Sequence, residues 1–377
     1  MDLVLTEDQA LIAKTAADFV RAKSPVARMR ALRDANDATG FSRALWKEMA
    51  ELGWVGLAFP ESVGGAGLGF AELAVVLEEL GKALAPEPFL STVLMGGQAL
   101  LLAGSDAQKQ AWLPRLCAGD AILTLAHQEA RSRYELNHVE TRAQKSDAGW
   151  KLSGEKIQVL DGHVADALLI PARTSGAAAD AAGISLFLVT KGAAGLTATR
   201  QTRVDSRGAA LVKLDGVVGE LIGSEGAASE LLARVVERAT IGLCAEMRGG
   251  MEQAFALTVE HLKTRKQFDV PIGSFQALKH RAADVFIELE LAKSALMAAA
   301  RALDAGSPDV AKLASLAKAK CSDAYVLAAN EGVQMFGGVG MTDEYDIGLY
   351  MKRARAAELT FGDSAFHRAR WASLNGY

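Results

Sequence analysis

The sequence predicts a mainly α chain of the α+β class, with an N-terminal helical domain, a middle antiparallel β-domain and a C-terminal helical bundle. The chain has 377 residues, more than one typical domain of ~150 residues. Apolar residues make up 50% of it and aromatic residues only 6%, so aliphatic residues and alanine carry most of the hydrophobicity, which favours helices. Short β-type runs interrupt the helical patterns in the middle of the chain. We therefore expect domains at residues 1–120, 121–222 and 223–377.

Charge and cysteine content exclude several classes of protein. The 41 basic and 45 acidic residues give a net charge of −4, so no global basic field would attract nucleic acid or an anionic membrane. The three cysteines lie far apart without a C-x-x-C pair, and the histidines form no i,i+4 pair, so we expect neither disulfides nor a metal site. This favours a reducing, cytoplasmic compartment. The nearly apolar run 93–104 is shorter than the ~20 residues of a membrane span, so no span is predicted.

Helices separated by turns are predicted for the first 118 residues. Thr6-Glu7-Asp8-Gln9 has the spacing of a capping box, so a helix begins there and extends to about Ala22. Ser42 is the predicted N-cap of a second helix. Two further helical stretches, 70–84 and 106–118, are separated by two prolines.

Short runs of β-forming residues follow, bounded by Gly, Asp and Ser. They cover 122–125, 150–152, 167–170, 185–189 and 210–214. Because no helix of ten or more residues separates them, they predict an antiparallel sheet or a small barrel rather than βαβ units. A loop at 215–226 is expected to lead into the C-terminal region.

The C-terminal region has the clearest helical pattern. Apolar residues recur at spacings of three and four from Phe275 to Leu303, which predicts a long helix packed in a bundle. Similar patterns predict helices around 232–251 and 313–328, and a final helical stretch at 345–372.

Three glycine-rich or basic segments are candidate ligand sites. The run 64–69 fails the dinucleotide-binding template, because Phe70 occupies the third glycine position and no second parallel strand follows, so we expect a flexible turn. Arg265, near a predicted helix start at Ser274, would suit a pyrophosphate; a basic last helical turn explains it equally well. The glycines of 337–340 favour a turn that a ligand approaches closely, although a helix C-cap needs only one of them.

Three motifs in series resemble the acyl-CoA dehydrogenase family. They are Phe59-Pro60-Glu61 with Gly64-Gly65-x-Gly67, Arg265-x-x-Phe268-x-x-x-Ile272-x-x-Phe275-Gln276, and Gln334-x-x-Gly337-Gly338-x-Gly340. The resemblance covers essentially the whole chain. It implies an FAD flavoprotein of lipid metabolism with a C-terminal four-helix bundle, which oxidises an acyl-CoA thioester to the 2,3-enoyl-CoA.

The resemblance also implies binding residues and partners. Arg265, Phe268 and Gln276 would contact the adenine dinucleotide part of FAD. The other residues implied at the cofactor are Gln334, Gly337 and Gly338, from a neighbouring subunit, and Ser364. The implied partners are an acyl-CoA substrate, an electron-transfer flavoprotein as electron acceptor, and further subunits in a homodimer, a homotetramer or a hetero-oligomer with a larger subunit.

Two motifs near the flavin depart from the family pattern. The Gly-Ser-Asp element that the family commonly shows is missing from 128–135. In the segment 156–161, Gln158 and Leu160 stand where the family commonly has a flavin-facing Trp and Thr.

The catalytic glutamate of the family is also replaced. Its position falls on Phe361, and the alternative position used by some relatives falls on Ala239. Asp363 is the nearest remaining carboxylate and the first candidate for the base, and Glu246 on the preceding long helix is the second. An ordinary cap or surface acid explains Asp363 equally well.

The Phe361-Gly362-Asp363 ending resembles the smaller subunits of two-component acyl-CoA dehydrogenases. The expected reaction is α-proton abstraction by a carboxylate with hydride transfer to flavin. The alternative is a catalytically silent FAD-binding subunit of a heteromer. An oxygen-using flavin monooxygenase of the same fold is disfavoured, because a carboxylate remains near the base position. No motif indicates which acyl group is bound.

Overall fold

The computed structural model describes residues 4–147 and 149–377, and the chain divides into two compact units. The first unit contains the residues up to Ala31 together with Gly69–Ala85 and Thr240–Tyr377. The second contains Leu32–Leu68 and Pro86–Ala239. The predicted order of helical, β and helical regions along the chain is confirmed.

The helices in chain order are α1 (Glu7–Lys23), α2 (Val26–Asp34), α3 (Arg43–Glu51), α4 (Phe70–Lys82), α5 (Gln98–Ala103), α6 (Asp106–Cys117), α7 (Ala228–Thr264), α8 (Gln276–Asp304), α9 (Val310–Phe336), α10 (Ile347–Leu359) and α11 (Ser364–Leu374). The strands are β1 (Leu123–Leu125), β2 (Arg142–Ser146), β3 (Gly149–Leu160), β4 (Ala167–Arg173), β5 (Ile184–Thr190), β6 (Leu196–Thr202), β7 (Gly208–Ile222), β8 (Lys266–Gln267) and β9 (Val270–Pro271). A π-helical segment covers Phe89–Gly97. No helix in the described part of the chain is long and apolar enough to cross a membrane.

Side-chain caps fix the starts of several N-terminal helices. Thr6 and Gln9 form the predicted capping box of α1, and Ser42 caps a helix as predicted, although that helix is α3 because α2 was not predicted. The Asp304 carboxylate accepts hydrogen bonds from the Phe70 and Ala71 amides at 2.6 and 2.9 Å, which caps α4 from the end of α8. These contacts satisfy amides that lack partners inside a helix.

The C-terminal helices pack around α9, which contacts α8, α10 and α11. Helices α4 and α7 approach until their backbones touch: a Cβ at Gly249 would lie 1.8 Å from the Glu78 carbonyl oxygen, and one at Gly81 2.1 Å from that of Glu246. Glycine at both positions removes the side chains that would hold the helices apart.

Two expectations for the C-terminal helices were wrong in detail. The final stretch is not one helix, because Phe361 and Gly362 adopt φ of +61° and +119° and separate α10 from α11. Ser274 is not the N-cap of α8: Phe275 occupies that position without a side-chain cap, and Ser274 ends a short 3-10 turn.

The β unit contains a small barrel that is mostly antiparallel. Strand β3 pairs with β2 and β7, β7 pairs with β5, β5 pairs with β4, and a single pair, Arg142 with Arg173, joins β4 to β2 and closes the ring. Strand β1 adds to β4 in parallel, and β6 adds to β7. The predicted loop 215–226 was wrong over its first part, because β7 continues to Ile222.

Close backbone contacts also order the segments beside the barrel. A Cβ at Gly96 would lie 2.7 Å from the Leu123 Cβ, so the π-helical segment packs directly on β1. The expected glycine turn forms at Gly64–Gly67, but it is not a loose linker: a Cβ at Gly65 would lie 2.0 Å from the Phe59 carbonyl oxygen, and the Gly67 amide donates to that oxygen at 2.8 Å.

Candidate functional site

A short hairpin presents Arg265 and Phe268 to solvent at the end of α7. The Ile272 amide donates to the Arg265 carbonyl at 2.8 Å, and β8 pairs with β9 around a two-residue turn. Both turn residues, Phe268 and Asp269, have positive φ, +54° and +62°. A bulky residue in this region is uncommon and strained, and Phe268 is 86% exposed. Strain that presents an exposed aromatic ring is typical of a ligand-contacting element.

The glycine turn after α9 exposes bare backbone. Gly337 closes the helix at φ +70°, and its amide donates to the Gln334 carbonyl. A Cβ added at Gly337 or Gly338 would meet no atom within 4 Å. Packing within the chain therefore does not require glycine at Gly338, whereas a ligand lying against this backbone would.

Aromatic stacking brings the hairpin and the glycine turn to the same end of the helical unit. His261 lies in the last turn of α7, four residues before Arg265. Its ring stacks on Phe336 with centroids 4.1 Å apart and planes 13° apart. Tyr345 packs edge-on against Phe336 at 5.4 Å. Burial, together with the nearby Arg265 guanidinium, lowers the pKa of His261, so this stack is neutral near pH 7. An exposed guanidinium beside an exposed glycine backbone suits a pyrophosphate.

The remaining predicted cofactor residues flank these two segments. Gln276 is the first residue of α8 and is exposed, with its amide nitrogen 3.3 Å from Nε2 of His280. Ser364 is the first residue of α11, and its hydroxyl accepts a hydrogen bond from Arg368 at 3.3 Å.

The first candidate base, Asp363, is the N-cap of α11. Its Oδ1 accepts a hydrogen bond from the Phe366 amide at 2.9 Å, and the residue is half-buried. Asp363 therefore forms a helix cap, and a role as the base would be additional to this cap. Phe361, at the family's glutamate position, is half-buried in the strained connection two residues earlier.

The second candidate base, Glu246, lies inside the helical unit. Its carboxylate forms an ion pair with Arg353 at 3.0 Å, and both side chains are buried. A carboxylate held in this way must give up a buried ion pair to accept a proton, which makes it the weaker candidate.

A buried ion pair joins the two segments of the β unit that differ from the family pattern, 128–135 and 156–161. The sequence did not predict this pair. Lys156 is fully buried, and its ammonium donates to Glu129 Oε1 at 2.6 Å. Glu129 also accepts hydrogen bonds from the Glu140 amide and from the Thr141 amide and hydroxyl. Burial alone would raise the pKa of Glu129, but Lys156 and these donors lower it, so the carboxylate stays charged. Glu129 lies in the segment 128–135 and Lys156 in the segment 156–161, but nothing in their spacing indicates that they pair.

The residues that follow Lys156 adopt an irregular path. Gln158 has φ of +50° at a register shift between β3 and β7, and its side chain is exposed, whereas Leu160 is buried. Asp161 accepts a hydrogen bond from the Ser91 hydroxyl at 2.6 Å. Burial raises the pKa of Asp161 to about 6. The aromatic and hydroxyl groups that the family commonly has here are thus replaced by an exposed amide and a buried aliphatic side chain.

Comparison with known proteins covers all three regions. Domain models of the acyl-CoA dehydrogenase N-terminal, middle and C-terminal domains match residues 6–120, 124–215 and 230–373. Acyl-CoA dehydrogenase IpdE2 of Mycobacterium tuberculosis is 33% identical over 355 residues, which cover 93% of this chain and 92% of that protein.

Solved structures of similar proteins superpose over the full chain. Butyryl-CoA dehydrogenase from Megasphaera elsdenii has a TM-score of 0.92 at 26% identity, with 100% of both chains covered. A chain of the ChsE4-ChsE5 complex from Mycobacterium tuberculosis has a TM-score of 0.89 at 29% identity, again with 100% of both covered. A structure described as an FAD-dependent dehydrogenase has a TM-score of 0.90 at 25% identity, with the same coverage.

Proposed function

Because this chain belongs to the acyl-CoA dehydrogenase family of FAD-dependent oxidoreductases, we propose that it binds FAD and desaturates an acyl-CoA thioester between its α and β carbons. The observation that carries the proposal is the meeting of the Arg265 hairpin and the Gln334–Gly338 turn at one end of the helical unit. The exposed guanidinium and the exposed glycine backbone at this end fit the pyrophosphate of a dinucleotide.

The residues that would hold the cofactor are Arg265, Phe268, Gln276, Gln334, Gly337, Gly338 and Ser364. Bound FAD supplies the acceptor for the hydride that leaves the β-carbon. Arg265 neutralises phosphate charge, and the strained hairpin presents the Phe268 ring for stacking. Because the hairpin and the glycine turn lie at one end of the same chain, both would approach the same FAD, and a neighbouring subunit would complete its site.

Asp363 is the proposed base that takes the α-proton. Its position at the head of α11 holds one carboxylate oxygen on the Phe366 amide, which fixes the orientation of the group. Glu246 is the second choice because of its ion pair with Arg353.

The proposed partners follow from the same family membership. They are an acyl-CoA substrate and an electron-transfer flavoprotein that removes electrons from the reduced cofactor. The similarity to a chain of the ChsE4-ChsE5 complex supports a hetero-oligomer with a larger subunit. A homodimer or a homotetramer is the alternative assembly. The three cysteine thiols are free and buried, which supports a reducing, cytoplasmic compartment.

Anaerobic titration of the FAD-loaded protein tests the proposed reaction. A panel of acyl-CoAs with short, long, branched and ring-bearing acyl groups is added while the flavin absorbance is followed. At least one acyl-CoA is expected to bleach the flavin. If flavin is bound and none of the panel bleaches it, the protein is the catalytically silent FAD-binding subunit.

An exposed apolar face on α8 predicts that the chain is not a monomer. Phe286, Ile287 and Leu291 are 52%, 55% and 49% exposed on neighbouring turns of this helix. Light scattering at micromolar concentration should give at least twice the 39.7 kDa chain mass, and Ile287→Lys should lower it toward the single-chain value. Leu11→Lys, an exposed position on α1, is the control and should leave the mass unchanged. A single-chain mass for the wild-type protein with flavin bound would overturn the prediction.

A further inference from the structure

Lys318 on α9 is fully buried and connects three parts of the helical unit. Its ammonium donates hydrogen bonds to Ser322 Oγ at 3.0 Å, to the Glu358 carbonyl at 2.9 Å and to the Gly362 carbonyl at 2.8 Å. An ammonium has three protons, and each has one acceptor here. The acceptors lie on α9 itself, in the last turn of α10 and in the connection between α10 and α11.

The surroundings explain how a buried ammonium is tolerated. The carbonyl ends of a helix carry partial negative charge, and the Glu358 carbonyl belongs to that end of α10. Burial lowers the pKa of Lys318 to about 8, and Cys244, Cys321, Glu358 and Asp363 oppose this shift. The ammonium form therefore predominates at pH 7, but the pKa of Lys318 lies only about one unit above this pH.

The connection that Lys318 holds is strained. Phe361 adopts φ of +61°, which is unfavourable for a bulky side chain, and Gly362 follows at +119°. Such a conformation persists only where the surrounding structure holds it. Two hydrogen bonds do so here: Nε2 of His367 donates to the Phe361 carbonyl at 3.1 Å, and Lys318 donates to the next carbonyl. Asp363 is the residue that follows.

We propose that Lys318 is a positioning residue for the dehydrogenation, and that its ammonium fixes the Phe361–Gly362 backbone so that the Asp363 carboxylate meets the substrate in one orientation. The kinetic part of this inference rests on the proposed function, whereas the structural part does not. A role in helix packing alone would affect overall stability without affecting this connection selectively.

Hydrogen exchange and flavin reduction on the FAD-loaded, full-length protein test the proposal. Lys318→Met removes all three donors from a side chain of similar length. Lys320→Met is the matched control, because Lys320 is also on α9 and forms a partly exposed ion pair with Glu288 of α8. Lys318→Met is expected to speed amide exchange in peptides covering 358–366 about tenfold or more relative to α8 peptides. It should also lower the flavin reduction rate at saturating acyl-CoA by about tenfold with KM little changed, whereas Lys320→Met should match the wild type.

Two results would overturn the proposal. One is exchange of the 358–366 peptides at the wild-type rate in folded Lys318→Met. The other is faster exchange with an unchanged rate of flavin reduction at saturation, which would leave a purely structural role. If the wild-type flavin is reduced by no acyl-CoA, the proposed function fails, and the exchange measurement still decides whether Lys318 holds the connection.

A measurement on the wild-type protein decides the matter if Lys318→Met does not fold. Raising the pH from 7 to about 9.5 removes the third proton of Lys318. The other groups that face the Lys318 ammonium are Cys244 on α7, Cys321 on α9, Glu358 on α10, and Asp363 and His367 at α11. His367 is already neutral at pH 7, because its pKa is lowered to about 3. Exchange in 358–366, corrected for the intrinsic rate, should rise relative to α8. A constant ratio would refute the proposal.

Discussion

At the residue scale, one substitution separates the helix cap that Asp363 forms from its proposed role as the base. Asparagine caps a helix as well as aspartate does, so Asp363→Asn keeps the hydrogen bond to the Phe366 amide and removes the proton acceptor. We expect acyl-CoA-dependent flavin reduction to fall by about 10²-fold or more, the usual contribution of a positioned base. The melting temperature should fall only slightly, because the cap is kept while the charge interaction with Lys318 is lost. Stopped-flow absorbance and thermal unfolding measure the two effects.

Asp309→Asn is the matched control for this substitution. Asp309 stands at the N-terminus of α9 without a side-chain cap, so the same chemical change there should leave both rate and stability unchanged. Reduction of flavin at the wild-type rate in Asp363→Asn would assign the base to Glu246 or to another chain.

The buried pair of Lys156 and Glu129 predicts a large loss of stability from a single substitution. Lys156→Met leaves the Glu129 carboxylate buried without its ammonium partner. Breaking a buried ion pair from one side typically costs about 3–5 kcal/mol, so the free energy of unfolding should fall by about that amount. Urea denaturation at neutral pH measures it.

Lys213→Met is the control in the neighbouring strand. Lys213 lies 3.9 Å from Glu155, and both side chains are exposed, so this substitution should cost less than ~1 kcal/mol. If the two variants are equally stable, the Lys156 ammonium contributes no more than a surface charge does.

At the scale of elements, a substitution in the glycine turn after α9 should weaken FAD binding without weakening folding. Gly338→Ala places a methyl group where the chain itself has no atom within 4 Å, so the apoprotein should unfold as the wild type does. A cofactor lying against that backbone would be displaced, and overpacking of about 1–3 kcal/mol corresponds to a loss of FAD affinity of roughly 5- to 150-fold. Fluorescence titration of the apoprotein with FAD measures the affinity.

Arg265→Ala tests the other half of the same site. A charged hydrogen bond to phosphate contributes about 1.5–3 kcal/mol, so FAD affinity should fall about tenfold or more. Lys263→Ala is the control, because Lys263 is equally exposed on the last turn of α7 and pairs with Glu260. Full FAD retention in both Arg265→Ala and Gly338→Ala would remove this end of the helical unit from the cofactor site.

Periodicity predicted most elements because burial on one face leaves a regular pattern. The missed strands β2 and β6 are largely exposed and polar, so neither shows alternation that distinguishes a strand from a loop. Asp215 and Gly216 are typical of a turn and predict a loop at the end of β7, whereas Gly216 lies inside the strand at φ +63°. The break at Phe361 has no signal, since phenylalanine rarely adopts positive φ.

The segments proposed to hold the cofactor stand out as motifs, because each is contiguous in the sequence. The contacts that hold the site in shape were not. Lys156 lies 27 residues from Glu129, and Lys318 lies 44 from Gly362, and only the folded chain brings these groups together. A lysine in a helical pattern is usually a solvated residue, so nothing in the sequence distinguishes Lys318 from the exposed lysines nearby.

At the scale of the whole molecule, four buried or half-buried groups make opposing contributions to stability between pH 4.5 and 7. Burial raises the pKa of Glu78 to about 7 and that of Asp161 to about 6, so each holds a proton that the unfolded chain has released. Stability from these two carboxyls falls as the pH rises through this range. Burial lowers the pKa of His127 to about 4 and that of His367 to about 3, so stability from these histidines rises with pH up to 6.5.

The two contributions oppose each other, and removing one group should expose the other. Glu78→Gln removes a carboxyl whose ionisation is opposed by burial and by Glu252 and favoured by Arg248, so the variant should gain roughly 1–3 kcal/mol over the wild type as the pH rises from 5 to 8. Urea denaturation at pH 5, 6.5 and 8 measures the change, with the exposed position Glu51→Gln as control. A Glu78→Gln profile parallel to that of the wild type would show that Glu78 ionises in the folded protein as it does in the unfolded chain.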